Sequence, residues 1–190
     1  GCGTIVFLGM AGRVGLSLPS HSLAGSQARA LAGQLVERAG MQRGICAVLG
    51  GDPAVALEMA RLSELLVNAR QPQREMARDL MKRSDAAGYG IERLAVESGP
   101  LDKLPYADRL IDAVITSKPE LTDDEAMRAL CPLGTLIRVD GDKLRTKRRP
   151  PQKGAGDWSH WENGPDINPV STDSVIKAPY MTQFMARPYY

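Results

Sequence analysis

Histidine and aromatic side chains are scarce in this chain: two histidines and 5% aromatics among 190 residues. His21 and His160 stand far apart and neither has a convincing partner, so neither reads as half of a proton-shuttling pair. Both are expected to be structural or solvated. The three cysteines, Cys2, Cys46 and Cys131, form no C-x-x-C pair, which excludes a zinc ribbon and a disulfide framework. Cys46 lies in an apolar run and Cys131 beside Pro132 at an expected helix end, so both read as buried small hydrophobes. No serine-centred triad or metal cluster is present in the pattern. A net charge of +2 argues against a nucleic-acid binder held mainly by charge. No apolar run is long enough and free enough of glycine to span a membrane.

What is present is a chain with 43% hydrophobic and 24% charged residues, enough for one core and an appendage. It begins with Gly1, which fits a product processed or cut from a longer reading frame. Residues 1–24 are apolar with one charge, Arg13, and end in small residues near Ala24. That resembles the hydrophobic stretch and cleavage site of a secretory signal without its basic start; the other reading is a buried strand and loop. Export to a periplasm or beyond is therefore favoured over a cytoplasmic location.

Between residues 25 and 142 apolar spacing alternates between two periods. Ser26–Ala39 has helical spacing and a stop at Gly40. Expected strands cover Ile45–Leu49, Leu65–Asn68, Ile91–Val96, Leu110–Thr116 and Thr135–Val139, with helices over Gln73–Ala87 and from Thr122 to about Leu130. Thr122 and Glu125 form a capping-box pattern. Strands alternating with helices predict an α/β, Rossmann-like, mostly parallel sheet with helices on both faces. No strand beyond the fifth is evident, so a truncated sheet is expected.

Residues 143–153 (KLRTKRRPPQK) carry six basic residues and no acid. With the adjoining glycines, 143–156 reads as a solvated linker rather than a nucleic-acid patch. Residues 157–190 hold Trp158, Trp161, Tyr180, Phe184, Tyr189 and Tyr190, six of the nine aromatics, without helical period.

The segment ICAVLGGDPAVALEMA (45–60) reads as strand, tight turn and helix. Asp52 suits the helix cap and Pro53 its first turn. Glycines in such a turn let backbone approach a ligand closely. A nucleoside ligand further asks for a carboxylate about twenty residues on, at the end of the second strand, to accept hydrogen bonds from the ribose hydroxyls. The sequence there is Asn68-Ala69-Arg70-Gln71, with only the neutral acceptors Asn68 and Gln71.

KLPYADRLIDAVITS (103–117) and EAMRALCPLGTLIRV (125–139) resemble the segments around the fourth and fifth strands of class I S-adenosylmethionine-dependent methyltransferases. The resemblance runs from about Gly44 to Val139. It implies S-adenosylmethionine as cofactor, held by Gly50, Gly51 and Asp52 on the loop, by Asn68 and Arg70 where the ribose-binding acid usually stands, and by Leu104. Here the loop is one residue short, Pro53 stands near a usual glycine, and Leu133 separates Pro132 from Gly134. Glu97 and Asp102 are slightly out of register for the acid that flanks adenine, and Asp112 matches a fold marker. No catalytic residue is assigned, since methyl transfer mostly needs placement of two reactants. GDWSHWENGPDINPVSTDSVIKAPYMTQFMARPYY (156–190) resembles the joint where some large bacterial proteins pass into a pyrroloquinoline-quinone-binding-like β-propeller. It implies a fragment whose propeller lies in cis beyond Tyr190. Two readings stay open: a methyltransferase acting on an unknown acceptor, or a degenerate, non-catalytic Rossmann adaptor on the amino-terminal side of that propeller.

Overall fold

The computed structural model describes residues 25–141, 143–156, 165–166 and 173–175. The expected leader (1–24) and nearly all of the expected propeller opening (157–190) lie outside the described residues. The elements are α1 (Gly25–Ala39), β1 (Arg43–Leu49), α2 (Pro53–Leu62), β2 (Glu64–Gln71), α3 (Arg74–Ala86), β3 (Leu94–Ser98), β4 (Ile111–Thr116), α4 (Asp123–Ala129), β5 (Leu130–Asp140) and β6 (Lys143–Arg148). They build a six-stranded sheet in the order β3-β2-β1-β4-β5-β6. β1 to β5 run parallel and β6 pairs antiparallel with β5.

The alternation of side chains along the strands sorts the core into two clusters. Cys46, Val48, Val67, Ala69, Ala113, Ile115 and Ile137 face α1, α2 and α3. Ala47, Leu49, Val114 and Leu136 face α4 and the β3–β4 loop through Leu101 and Leu104. Both faces of β1 and β4 are covered, as near-continuous apolar strands require. Asp112, half-buried on β4, fastens this arrangement. Its Oδ2 accepts from the Ile45 backbone N–H at 2.8 Å, and its Oδ1 accepts from the Cys131 thiol at 3.2 Å. Gly44 leaves room for it, because a Cβ there would lie 2.6 Å from Asp112 Oδ2. The cysteines are thereby explained: burial pushes the Cys46 thiol up to about 12, and burial together with the Asp112 bond raises Cys131.

Several boundaries differ from expectation. The third strand begins at Leu94, not Ile91, since Arg93 and Leu94 both donate to Gly90 O in a turn that leaves Ile91 80% exposed. β2 continues to Gln71, whose side chain follows Val67 and Ala69 toward the helices. The basic linker is corrected in its first half: Lys143–Arg148 is a strand, hydrogen-bonded to β5 from Asp140↔Lys143 to Thr135↔Arg148. It concealed itself because an edge strand needs no buried alternate face, and edge lysines and arginines discourage pairing with other chains.

Two positions hold latent cost. Gln71 is 1% exposed and neither amide atom has a hydrogen-bond partner. Leu133, in the β4–β5 irregularity where residues 131–134 stand opposite Asp112 alone, has φ 66° and is 48% exposed. Gln71→Met is expected to raise stability by about 1–2 kcal/mol by removing an unmet polar group. Leu133→Gly should add about 1 kcal/mol by relieving the left-handed backbone. Urea-midpoint shifts in both variants check this.

Candidate functional site

At the carboxyl ends of β1 and β4 the strand order reverses, which is where ligands bind in open α/β sheets. The β1–α2 turn sits there. Gly50 and Gly51 have φ of 66° and 77°, conformations that glycine adopts freely. Asp52 caps α2, its Oδ1 accepting from Ala54 N–H at 2.8 Å, and Pro53 opens the first turn. The positive end of α2 is thus answered by the chain's own carboxylate.

Beside Gly50 the space is filled from within. A Cβ on Gly50 would meet Lys118 Cγ at 2.8 Å and Leu101 Cδ1 at 3.2 Å. Lys118 is folded back by Thr116, whose Oγ1 accepts from Lys118 N–H at 3.0 Å. Across the turn, Gly50 N–H donates to Arg70 O at 2.8 Å.

The end of β2 shows where the missing acid went. Arg70 Nη1 donates to Glu97 Oε2 of β3 at 2.7 Å, and its Nε donates to Pro100 O at 2.9 Å. Its side chain is 11% exposed and lies against Gly99, where a Cβ would fall 2.3 Å from Nη2. Asn68 Nδ2 donates to Glu97 Oε1 at 3.3 Å, and Tyr106 Oη donates to Asn68 Oδ1 at 2.7 Å. A carboxylate therefore does stand at the tip of β2, but β3 supplies it and each of its oxygens already accepts one hydrogen bond from β2. Burial, then the Glu97 charge, raises the Tyr106 phenol and keeps it a donor.

Of the expected site residues, Gly50, Gly51 and Asp52 meet on one loop, and Asn68 and Arg70 meet on one strand end. Leu104 does not join them. Its side chain is 3% exposed in the α4-side cluster, and its N–H donates to Glu125 Oε1 at 2.8 Å. Gln71 points to the opposite face. Spacing in the sequence does not group Glu97, Leu101, Tyr106 and Lys118 as neighbours, although Glu97 stands out there as an acid near this place.

The loop carrying Leu101 and Tyr106 is pinned by Arg128. Its Nε and Nη2 donate to Glu125 at 2.9 and 2.8 Å, Nη1 to Tyr106 O at 2.8 Å and Asp108 Oδ1 at 2.6 Å, and Nη2 to Leu104 O at 3.1 Å. The Arg128 bonds hold the Glu125 carboxyl down at about 2, and the arginine rises in return.

Next to the turn a cleft of about 120 Å³ remains, lined by Leu31, Leu35, Val48, Val55, Ile115 and Val139, with Gly50, Gly51, Asp52, Thr116 and Ser117 also contributing. Among the described residues no cluster could hold a metal ion, and no helix is long and apolar enough to cross a membrane.

Several solved structures share this architecture. A putative S-adenosyl-L-methionine-dependent methyltransferase from Methanococcus maripaludis matches with TM-score 0.52 and 20% identity over 58% of this chain and 53% of its own. Geranyl diphosphate C-methyltransferase from Streptomyces coelicolor, solved with S-adenosyl-L-homocysteine, matches with TM-score 0.51 and 15% identity over 57% and 44%. The fold is that of the class I methyltransferases. The [4+2]-cyclase SpnF matches equally well, with TM-score 0.52 and 19% identity over 60% of this chain and 47% of its own. The chain spans about half the length of these structures. No protein-family model and no curated protein matches it.

Where the resemblance expects the ribose acceptor the structure has the Arg70–Glu97 pair, and beside the turn glycine Gly50 it has the side chains of Lys118 and Leu101.

Glu125 carries the acid sensitivity of the pinned loop. Its folded pKa lies near 2 against an ordinary 4.5. The stabilisation is complete above about pH 4.5 and falls away as pH drops from there toward 2. After discounting for solvent screening it amounts to about 1–2 kcal/mol. Glu125→Gln should flatten the acid limb of the urea-stability profile between those pH values while lowering stability at pH 7.

Proposed function

We propose that this chain is a methyltransferase-fold domain that no longer holds S-adenosylmethionine and acts as a non-catalytic adaptor on the amino-terminal side of a quinone-binding-like β-propeller. The observation that carries the reading is Arg70 in the place of the ribose-gripping acid, ion-paired to Glu97 at 2.7 Å. A carboxylate that already neutralises Arg70 and receives Asn68 is a weaker acceptor for a sugar diol than an unpaired acid, and opening the pair would leave a mostly buried guanidinium without its counter-charge. The fold is not tied to one reaction, since its neighbours include a cyclase as well as methyltransferases. The propeller rests on the resemblance of residues 156–190. The leader's resemblance to a secretory signal agrees, because an exported compartment is not expected to supply this cofactor.

The rival reading, a working S-adenosylmethionine site with an unknown methyl acceptor, is favoured by one feature: Gly50 and Gly51 keep the positive φ of a ligand-cradling turn. The same fold in a structure solved with S-adenosyl-L-homocysteine lends it some support.

Calorimetric titration with S-adenosylmethionine and S-adenosyl-L-homocysteine separates the two. The adaptor reading expects no saturable heat up to about 1 mM ligand. Micromolar binding to the wild type that Gly50→Val abolishes would sink it. Sequencing the gene past the codon for Tyr190 tests the second half of the proposal, which expects repeated short strands there.

A further inference from the structure

Beside the β1–α2 turn lies a cleft bounded on the other side by α1. Resting on the reading above, we propose that this cleft binds a compact, uncharged, branched aliphatic molecule, with its polar end at the mouth. The size sets the class. The cleft measures about 120 Å³, far below a nucleoside-sized pocket. It is close to the roughly 150 Å³ of an apolar protein cavity that stays dry and admits benzene.

Its walls set the chemistry. Leu31 and Leu35 come from α1, Val55 from α2, Val48 and Ile115 from the central strands, and Val139 from β5. These are six aliphatic side chains, mostly buried, and they offer nothing to a ring nitrogen or a sugar hydroxyl. Branched methyls suit such a wall because they fill it without ordering many rotors. Polar groups gather only at the mouth. Ser117 is exposed, and its Oγ lies 3.4 Å from where a Cβ on Gly51 would be, so the hydroxyl faces the glycine turn across the opening.

The charges around that mouth oppose one another. Asp52 lines the cleft and Lys118 crosses Gly50. An ammonium or a carboxylate on the ligand would gain from one and lose to the other, after giving up its hydration. A hydroxyl meets Ser117 and the turn backbone without that loss.

The test is a methyl-NMR titration of the full chain with 3-methylbutan-1-ol. Saturable shifts are expected at Leu31, Leu35, Val55, Ile115 and Val139, with Kd about millimolar for so few atoms, and none at Leu121 or Leu136 on the other face. Leu31→Phe, on the half-buried wall, should raise Kd at least about tenfold by filling the mouth, and Val139→Phe is the second variant should the first misfold. The isosteric ammonium and carboxylate probes, isopentylamine and isovalerate at neutral pH, should each bind several-fold more weakly. Shifts that grow linearly without saturating, or an unchanged Kd in a folded filling variant, would overturn the site. Equal binding of the charged probes would overturn the ligand class. S-adenosyl-L-homocysteine is the separate arm: silence at the methyls of the cleft is expected, and saturable displacement of the alcohol would overturn the closed-nucleoside reading on which this inference stands.

Discussion

Everything at the mouth of this sheet depends on how the chain crosses from β3 to β4 without a helix. A crossover of that kind must satisfy its own backbone polar groups while lying over an apolar sheet face. Arg128 solves this. Its planar fork reaches the carbonyls of Leu104 and Tyr106 and the carboxylates of Asp108 and Glu125 together. Lysine, with a single point charge, has no such geometry. With the loop fixed, Leu101 and Leu104 take the core places that a helix would fill, Leu101 also lies against Gly50, and Tyr106 reaches Asn68. The arrangement around Gly50 and Asn68 is thus a consequence of the helix-free crossover as much as of Arg70 at the end of β2.

The two changes support each other. An arginine at the end of β2 would be unpaired and mostly buried unless a carboxylate came to meet it, and Glu97 comes from the adjacent strand in register with it. Pro100 O and Gly99 then shape the other side of the guanidinium. The end of β2 is thus an ion pair with an amide and a phenol behind it. The turn glycines persist because Gly50 must still let Lys118 and Leu101 approach, so their presence alone does not report a ligand.

How much of this was legible depends on whether a signal is local. The β1–turn–α2 unit was, down to the Asp52 cap and Pro53, because each part is fixed within a few residues. The Thr122 cap was also local, its Oγ1 accepting from Glu125 N–H at 3.2 Å. Glu125 was not: its side chain leaves the capping box for Leu104 and Arg128, partners that only the folded crossover supplies. A twelve-residue crossover between two strands, with no helical period of its own, is itself a hint that something must anchor it. Nothing in spacing says which arginine. β6 escaped because five of its six residues are exposed, so the alternation that reveals half-buried strands has no face on which to appear. Arg70 was visible as a departure, but its partnership with Glu97 depends on the register of β2 against β3.

The fold does not depend on what the mouth of the sheet holds, for a reason visible in its two cores. The cluster under α1, α2 and α3 and the cluster under α4 both draw on β1 and β4, and Asp112 ties β1 to the start of β5 below the site rather than at it. None of the bonds at Asp112 involves the turn. A sheet stabilised from both faces tolerates a rebuilt mouth, since the mouth contributes few of the buried apolar contacts that outweigh chain entropy. Gly50, Gly51 and the aliphatic cleft beside them are consequences of how β1, β4 and α2 must meet.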